Sequence, residues 1–491
     1  MYKGEYLNMK DKVERILENK NLVKIIFLLS AIMFALPSIC YMLKNGTVLQ
    51  FDQYFKFCLN NSWSRFEQAV IYIIILSLLT IFYFLIVKNR EKIFKSTKEM
   101  YIYVTIISLI FVLVIPFMCS DVFYYLGVGR IDGKYGQNPY YVTIKDFVEN
   151  GDNTKYLETD TVLLQGYEND WSATTVVYGP IWTLVCKVVA TMSFGNIDIG
   201  LLAFKLIAVL LHVLNCYILY KIKNKKIFIL LYGLNPFVLI EGIVSVHNDL
   251  YIVTFILASI YFLIKKKNLF ISLLFLALAT AIKYFTILLL PFIIIYYFRD
   301  KKTLEKLKKC FTYGFIFAIM LAITYIAYVQ DWTVLMGLIT QQERYAKNFY
   351  IILMEYFQTV PDIVSKVHNT FLIGFVIVYF FTCVTLLFKK DIKFRQQMRT
   401  AEYFLIAFLF LLITNFQPWY LMWLFPLVIY QNSKVSRFVI QIMLISQFTN
   451  SIFLINGEGW KNGTPFTFFM LLGVLICVLI GNKNRMWERN E

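Results

Sequence analysis

The chain consists of long runs of apolar residues separated by short polar segments. A helix needs about 20 mostly apolar residues to cross the ~30 Å hydrocarbon core of a membrane. Ten runs approach or exceed this length: 25–43, 69–87, 101–119, 200–220, 227–246, 249–264, 311–329, 369–388, 438–456 and 465–481. The pattern therefore predicts an all-α fold, a polytopic bundle of transmembrane helices.

Two further apolar runs, 269–298 and 402–430, are too long for one ordinary crossing. Lys283 interrupts the first run, and a Gln-Pro-Trp-Tyr sequence at 417–420 interrupts the second. Proline breaks a helix, and a lysine in mid-membrane is costly unless it reaches water or a partner. We predict that each run is a hairpin of two short helices, which brings the total to about fourteen crossings.

The composition agrees with a membrane protein, since 59% of the residues are hydrophobic and 16% are charged. Soluble chains are about 45–50% apolar and about 25% charged, so an ordinary soluble fold and disorder are both excluded. The eight Cys show no CxxC or Cys/His metal spacing and are interpreted as small buried hydrophobes. The first twenty residues are polar and mixed in charge, which predicts no cleavable signal.

The net charge of +17 is explained by membrane topology. If the N-terminus is cytoplasmic, most of the 48 Lys and Arg fall in cytoplasmic loops, as the positive-inside rule requires. We therefore expect no nucleic-acid partner and place both termini in the cytoplasm. Residues 120–199 and 330–368 then form two large extracytoplasmic loops of one domain, 1–491. The amphipathic portion 176–194 is predicted to lie in the interface rather than to span it.

Several ionisable residues lie near the outer ends of the predicted helices, where burial in a membrane is costly for a charge. Asp121 is either a helix-boundary carboxylate or a general base for an acceptor hydroxyl. Helix capping would explain Asp249 but leaves its neighbour His247 unexplained, so His247 is a candidate phosphate or sugar contact. Lys283 either snorkels to headgroups or binds an anion at a hairpin tip.

Polar and aromatic groups near these charges are candidates for sugar contacts. Trp419 and Tyr420 are either interfacial anchors or a platform for a sugar face, and Gln417 can hydrogen-bond hydroxyls. Arg344 in the second outer loop is either an exposed charge or a bidentate phosphate ligand.

No cofactor is indicated with certainty. The sequence contains neither a Walker GxxxxGK[ST] nor a dinucleotide GxGxxG motif. No metal site is predicted, because Asp121 and Asp249 alone provide few ligands for a divalent metal ion. The sequence leaves open whether such an ion binds between them.

Several motifs resemble those of a known protein family in their order and spacing. They are Asp121, Gly-Arg-Ile-Asp-Gly-Lys-Tyr-Gly-Gln-Asn-Pro-Tyr at 129–140, Tyr-Gly-Pro at 178–180, Asn-Pro at 235–236, His-Asn-Asp at 247–249, Lys283 and the 417–420 sequence. Over about 101–430 the chain resembles the C-type (GT-C) membrane glycosyltransferases, and within them the polyprenyl-phosphomannose-dependent mannosyltransferases. The two spans before residue 101 depart from the simplest members.

The resemblance implies an inverting enzyme that takes a hexose, with mannose favoured, from a polyprenyl-phosphate donor. The acceptor would be a hydroxyl of an envelope glycan or glycolipid on the outer face. The implied catalytic base is Asp121, with Asp249 as a second acid. The donor-phosphate ligands would be Lys283, His247 and Arg344; the sugar or acceptor contacts would be Trp419, Tyr420, Gln417, Asn138, Tyr140 and Tyr178.

Two other functions compete with this one. A flippase or secondary transporter for a lipid-linked sugar would also use intramembrane charges and broken helices. However, both breaks lie toward the outer face, and large outer loops would be idle in a transporter. A ligase or polymerase would differ in using a lipid-linked oligosaccharide. The Lys-, Asn- and Ile-rich usage is associated with AT-rich bacteria, so the expected location is a bacterial cytoplasmic membrane.

Overall fold

The computed structural model describes residues 19–46, 64–117, 119–342, 350, 354, 361–390, 392–431 and 439–449. All regular secondary structure in these ranges is helical, so the predicted all-α class is confirmed for them. Five helices are long and apolar enough to cross a membrane: Asn21–Asn45, Arg65–Lys88, Ile197–Lys223, Thr303–Tyr325 and Asp362–Phe388. Shorter apolar helices cover Asp249–Ile264, Leu269–Thr280, Tyr284–Tyr297 and Val439–Thr449. The predicted run 465–481 lies outside the described residues.

The predicted span 227–246 is bent rather than straight. Helix Ile227–Gly233 meets Pro236–Val244 at 47°. Asn235 separates them, and its side chain caps the second helix by accepting from the backbone N–H of Phe237 at 3.0 Å. A proline at the start of the second helix cannot continue the hydrogen bonds of the first, so the sequence places the bend there.

The predicted span 101–119 is shorter than its apolar run, because helix Thr97–Val112 ends before Pro116. Proline disfavours a helical conformation in the residue before it. Polar side chains of neighbouring helices satisfy the freed backbone groups. Lys205 donates to the carbonyl of Val114, and the N–H of Ile115 donates to Ser38 Oγ at 3.0 Å. Irregular backbone at membrane depth is tolerated only where it finds such partners.

Both runs are interrupted, the first at Lys283 as predicted and the second at 413–417, so that Pro418 begins the next helix rather than lying within the break. The first run forms Leu269–Thr280, then an extended Lys283, then Tyr284–Tyr297. The second run begins in helix Phe394–Ala407, becomes a π-helical turn at Phe408–Leu412, and resumes as Pro418–Leu424 and Phe425–Gln431. The total of fourteen crossings and the placement of the termini stay predictions.

Segment 120–199 is folded into helices Asp121–Gly133, Ile144–Glu149, Thr161–Tyr167 and Pro180–Met192. The first and last of these pack closely. A Cβ on Gly129 would lie only 2.1 Å from the carbonyl oxygen of Cys186, so the contact requires glycine. Helix Pro180–Met192 has 13 residues, about 20 Å at 1.5 Å per residue, which is shorter than the hydrocarbon core.

Two ion pairs, one buried and one partly exposed, fix the fold of this segment. Arg130 Nε lies 2.6 Å from Asp160 Oδ2, and both side chains are almost fully buried. Tyr135 donates to the same carboxylate oxygen at 3.0 Å, and burial together with Asp160 raises the pKa of Tyr135 above its usual value. Lys187 Nζ lies 2.7 Å from Asp132 Oδ1. These contacts hold helix Asp121–Gly133, and therefore Asp121, in a fixed orientation.

Candidate functional site

Asp121 is the first residue of helix Asp121–Gly133, and Ser120 occupies the N-cap position. Asp121 therefore does not cap this helix through its own side chain. Its side chain is 14% exposed, and Tyr125, one turn further on, donates its hydroxyl to Asp121 Oδ2 at 3.4 Å. The backbone N–H of Asp121 donates to Cys119 Sγ at 3.4 Å. The carboxylate is thus partly accessible and near few strong donors, as a base requires.

His247 lies between two carboxylates. Its Nδ1 is 3.9 Å from Asp121 Oδ2, and its Nε2 is 3.3 Å from Glu241 Oε2. Gln447 Nε2 donates to the other oxygen of Glu241 at 2.7 Å. The imidazole ring stacks on Trp419, with centroids 4.0 Å apart. These contacts fix both the position and the plane of a fully buried ring.

The backbone before His247 is strained. Val246 has φ of +55°, in the left-handed region that a β-branched residue rarely adopts. The preceding residues Leu239–Val244 form a π-helical turn, and the N–H of His247 donates to the carbonyl of Glu241 at 3.1 Å. Such strain persists only where the surrounding structure enforces it, and it concentrates at functional sites.

Lys283 and Asp249 form the second charged pair of the site. Lys283 Nζ is 2.8 Å from Asp249 Oδ1, and Trp423 Nε1 donates to the same oxygen. Asp249 is fully buried. The ammonium also lies over the rings of Tyr420, Trp423 and Tyr178, at 4.5, 5.2 and 5.7 Å from their centroids. An aromatic cage of this kind stabilises a cation through the negative faces of its rings.

Two tyrosines connect the two charged centres. The hydroxyls of Tyr125 and Tyr178 are 3.3 Å apart, so a path of contacts runs from Asp121 through both rings to Lys283. The structure therefore brings most of the predicted site residues into one region: Asp121, His247, Asp249, Lys283, Tyr178, Trp419 and Tyr420.

The other predicted site residues lie elsewhere or make structural contacts. Asn138 donates to the carbonyl of Tyr328 at 2.7 Å, and Tyr140 donates to the carbonyl of Tyr178 at 2.8 Å. Gln417 donates to Asn415 Oδ1 at 2.9 Å. Arg344 lies outside the described residues. Tyr140 thus acts on the site by holding the segment that carries Tyr178.

Sequence reasoning missed four residues of this region: Cys119, Tyr125, Glu241 and Trp423. Glu241 is an acid inside a predicted span, so the rule that singled out Lys283 applies to it equally. Tyr125 follows Asp121 by four residues and therefore shares its helix face. The contact of Trp423 with Asp249 had no sequence signal, because it joins residues 174 apart in the chain.

Cys119, Asp121 and His247 also meet the distances of a metal-ligand group. One ligand atom from each lies within 4.8 Å of the other two. Asp249, by contrast, already has a cation beside it, in Lys283.

Comparison with known proteins identifies the family. Residues 28–299 match the model of the MptA_B family, described as the alpha-(1->6)-mannopyranosyltransferase N-terminal domain. No curated protein and no solved structure shows a significant match. The match covers more than half of the chain and includes Asp121, Glu241, His247, Asp249 and Lys283. This chain belongs to the MptA_B family of alpha-(1->6)-mannopyranosyltransferases and is a multi-pass membrane glycosyltransferase.

Proposed function

We propose that this mannosyltransferase is a GT-C-type enzyme that transfers mannose from a polyprenyl-phosphate carrier to a hydroxyl of an envelope glycan or glycolipid. The observation that supports the proposal best is the arrangement of Asp121 and Lys283. A carboxylate and a caged ammonium lie at two ends of one ring-lined region, connected through Tyr125 and Tyr178. Transfer from a phosphate donor needs a base for the acceptor and a cation for the leaving group.

Asp121 is the proposed general base. The acceptor oxygen attacks the anomeric carbon, and its proton passes to a carboxylate oxygen of Asp121. The bond from the anomeric carbon to the phosphate oxygen breaks at the same time, and its electron pair leaves with the polyprenyl phosphate. Attack from the face opposite the phosphate inverts the anomeric carbon. A positioned base of this kind contributes about 10²–10⁴ in rate.

Lys283 is the proposed ligand for the departing phosphate. Negative charge develops on the phosphate oxygens during bond breaking, and a preorganised cation in a site that excludes water stabilises it strongly. Asp249 and Trp423 fix the ammonium by sharing one carboxylate oxygen. Asp249 therefore acts through Lys283 in this proposal, and the phosphate contact predicted for Arg344 stays a prediction.

Trp419 and Tyr420 form the proposed platform for the mannose ring. Trp419 stacks on His247 beside the base, and Tyr420 lies under the ammonium of Lys283. Their rings are 6.1 Å apart and nearly perpendicular, with Trp419 on the His247 side and Tyr420 on the Lys283 side. His247 lies beside Asp121, which favours a role with the acceptor rather than with the phosphate.

The donor constrains the topology. Its polyprenyl tail lies in lipid and its phosphate at the interface, so the site has to open near one membrane surface. We propose that this is the extracytoplasmic surface, with about fourteen crossings and both termini in the cytoplasm, since that arrangement satisfies the positive-inside rule. The exposed apolar row Leu184, Val188 and Met192 would then place helix Pro180–Met192 in the outer interface.

A transfer assay in reconstituted vesicles tests the proposal. The purified full-length protein receives polyprenyl-phosphomannose and a short α-mannoside acceptor, and mass spectrometry follows both. We expect an acceptor one hexose heavier and an equal amount of polyprenyl phosphate. Donor crossing the bilayer without a new glycosidic bond would instead establish a carrier. Transfer of a whole oligosaccharide from a diphosphate carrier, with no use of the monosaccharide donor, would establish a ligase.

A further inference from the structure

The surroundings of Asp121 and Glu241 carry an unbalanced negative charge. Glu241 is almost fully buried and Asp121 largely so. Among the residues that the structure describes, no Lys or Arg nitrogen lies within 4 Å of either carboxylate. Asp249 differs from both, because Lys283 Nζ lies 2.8 Å from its carboxylate. Two buried carboxylates on either side of one imidazole favour the presence of a further cation.

The side chains near this charge are suited to a transition metal. Cys119, Asp121 and His247 supply sulfur, oxygen and nitrogen, with the ligand atoms within 4.8 Å of one another. Ligand atoms around a tetrahedral zinc ion stand about 3.3–3.8 Å apart, given bonds of about 2.0–2.3 Å. The observed 3.9 Å between His247 Nδ1 and Asp121 Oδ2 is close to this range.

His247 is oriented as a metal ligand would be. It is fully buried, and neither ring nitrogen meets the geometry of a hydrogen bond. Its Nε2 faces Glu241, which Gln447 holds in turn. Metal-binding histidines almost always direct their second ring nitrogen at a carboxylate or carbonyl, because that contact fixes the tautomer with a free lone pair toward the metal. With the proton on Nε2, toward Glu241 at 3.3 Å, the lone pair of Nδ1 would point to the side of Asp121.

Cys119 is also positioned to act as a metal ligand. Its sulfur accepts the backbone N–H of Asp121 at 3.4 Å, a contact that stabilises a thiolate. A coordinated thiol loses its proton to the metal charge, so burial among carboxylates does not prevent binding when the ion is present. This assignment departs from the expectation that the cysteines are only small hydrophobes.

We propose that Cys119, Asp121 and His247 form a site for one divalent transition-metal ion, zinc by ligand type, with Glu241 as the carboxylate that orients His247. Three protein ligands leave one tetrahedral position open, as in catalytic zinc sites. An oxygen of the acceptor hydroxyl or of a phosphate suits that position. Asp121 has two carboxylate oxygens, so binding through Oδ2 leaves Oδ1 for a proton. The proposal rests on this geometry and not on the transfer reaction.

Metal content is the primary test, because it needs no activity. The full-length protein is purified without chelator, equilibrated with zinc and freed of excess ion. We expect about one zinc per chain in the wild type and in Cys186→Ala, a matched buried cysteine outside the group. Cys119→Ala is expected to lose the ion. Glu241→Gln, which keeps the shape of the side chain, is expected to bind about 10- to 100-fold more weakly. Equal zinc content in all four proteins would overturn the proposal.

Cobalt provides a second measurement, which reports on the sulfur ligand directly. A sulfur-to-cobalt charge-transfer band is expected in the wild type and in Glu241→Gln at higher cobalt, but not in Cys119→Ala. Absence of the band from folded, cobalt-loaded wild type would remove Cys119 from the site. Inorganic phosphate and methyl α-mannoside, added separately, test the open position. If either ligand shifts the cobalt absorption, the open position is supported, and that ligand shows whether the oxygen comes from a phosphate or a hydroxyl. If neither ligand shifts the absorption, the open position is contradicted.

Discussion

The ammonium of Lys283 lies 2.8 Å from the carboxylate of Asp249, although the two residues come from different apolar segments separated by a chain reversal. Lys283 is the residue at which the first long run breaks, and Asp249 begins the helix before that run. The pairing explains how a lysine is tolerated at this depth: it has a carboxylate on one side and aromatic rings on the other. The helix break and the proposed phosphate site therefore share Lys283.

Lys283→Met is expected to destabilise the protein by about 3–5 kcal/mol, because it leaves Asp249 buried without its cation. Adding Asp249→Asn to that variant is expected to restore part of the loss, since the uncompensated charge is then gone. Thermal unfolding in detergent measures both. Lys134→Met, at an exposed position of the outer loop, is the control and is expected to change stability little. Additive losses in the double variant would contradict the pairing.

Trp419→Ala is expected to lower kcat/KM about two- to tenfold, because the stack that orients His247 contributes about 0.5–1.5 kcal/mol. Trp419→Phe keeps an aromatic face and is expected to retain most of the activity. Trp332 is 73% exposed, so Trp332→Ala serves as the control for losing an indole outside the site. Steady-state kinetics with varied acceptor measure all three. Equal losses in Trp419→Phe and Trp419→Ala would show that stacking is not the cause.

Arg130→Ala is expected to cost about 3–5 kcal/mol of stability, since Asp160 would remain buried without a partner. Lys145→Ala breaks the exposed pair with Glu149 and is expected to change stability by less than about 1 kcal/mol. Thermal unfolding compares the two. A small effect of Arg130→Ala would mean that this pair does not hold the helix that begins with Asp121.

Asp152→Cys is expected to react with a membrane-impermeant maleimide from outside intact cells, because Asp152 is exposed in segment 120–199. Lys301→Cys, in a basic segment assigned to the cytoplasm, is expected to react only after permeabilisation. The unsubstituted chain controls for its own cysteines. Reaction of Lys301→Cys from outside would invert the proposed topology.

Sequence patterns predicted the helical class and the interruptions, because a break in an apolar run has local causes: Lys283 in one run and Pro418 in the other. They overestimated the third span, since hydrophobicity continues past Val112 although the helix stops before Pro116. Hydropathy reports how apolar a segment is. It does not distinguish a helix from an irregular segment whose backbone groups are hydrogen-bonded by Lys205 and Ser38.

For the candidate site, too, the sequence located individual residues but did not predict their contacts. Charge in an apolar run is a local signal, and it located Asp121, His247, Asp249 and Lys283 in the sequence. Which of them pair depends on helix packing, so the contacts of His247 with Glu241 and of Asp249 with Lys283 had no sequence signal. Asn138 shows the converse, because a polar residue in a matching motif proved to hold a backbone carbonyl.

The central claim is that Asp121 removes the proton of the acceptor during sugar transfer, and the direct test is the turnover of Asp121→Asn with polyprenyl-phosphomannose. Asparagine keeps the shape of the side chain but cannot accept that proton. We predict that kcat falls about 10²- to 10⁴-fold while donor binding stays within a few-fold of wild type. Asp152→Asn, in the same outer segment, is predicted to keep full activity. Turnover of Asp121→Asn at the wild-type rate would contradict this account.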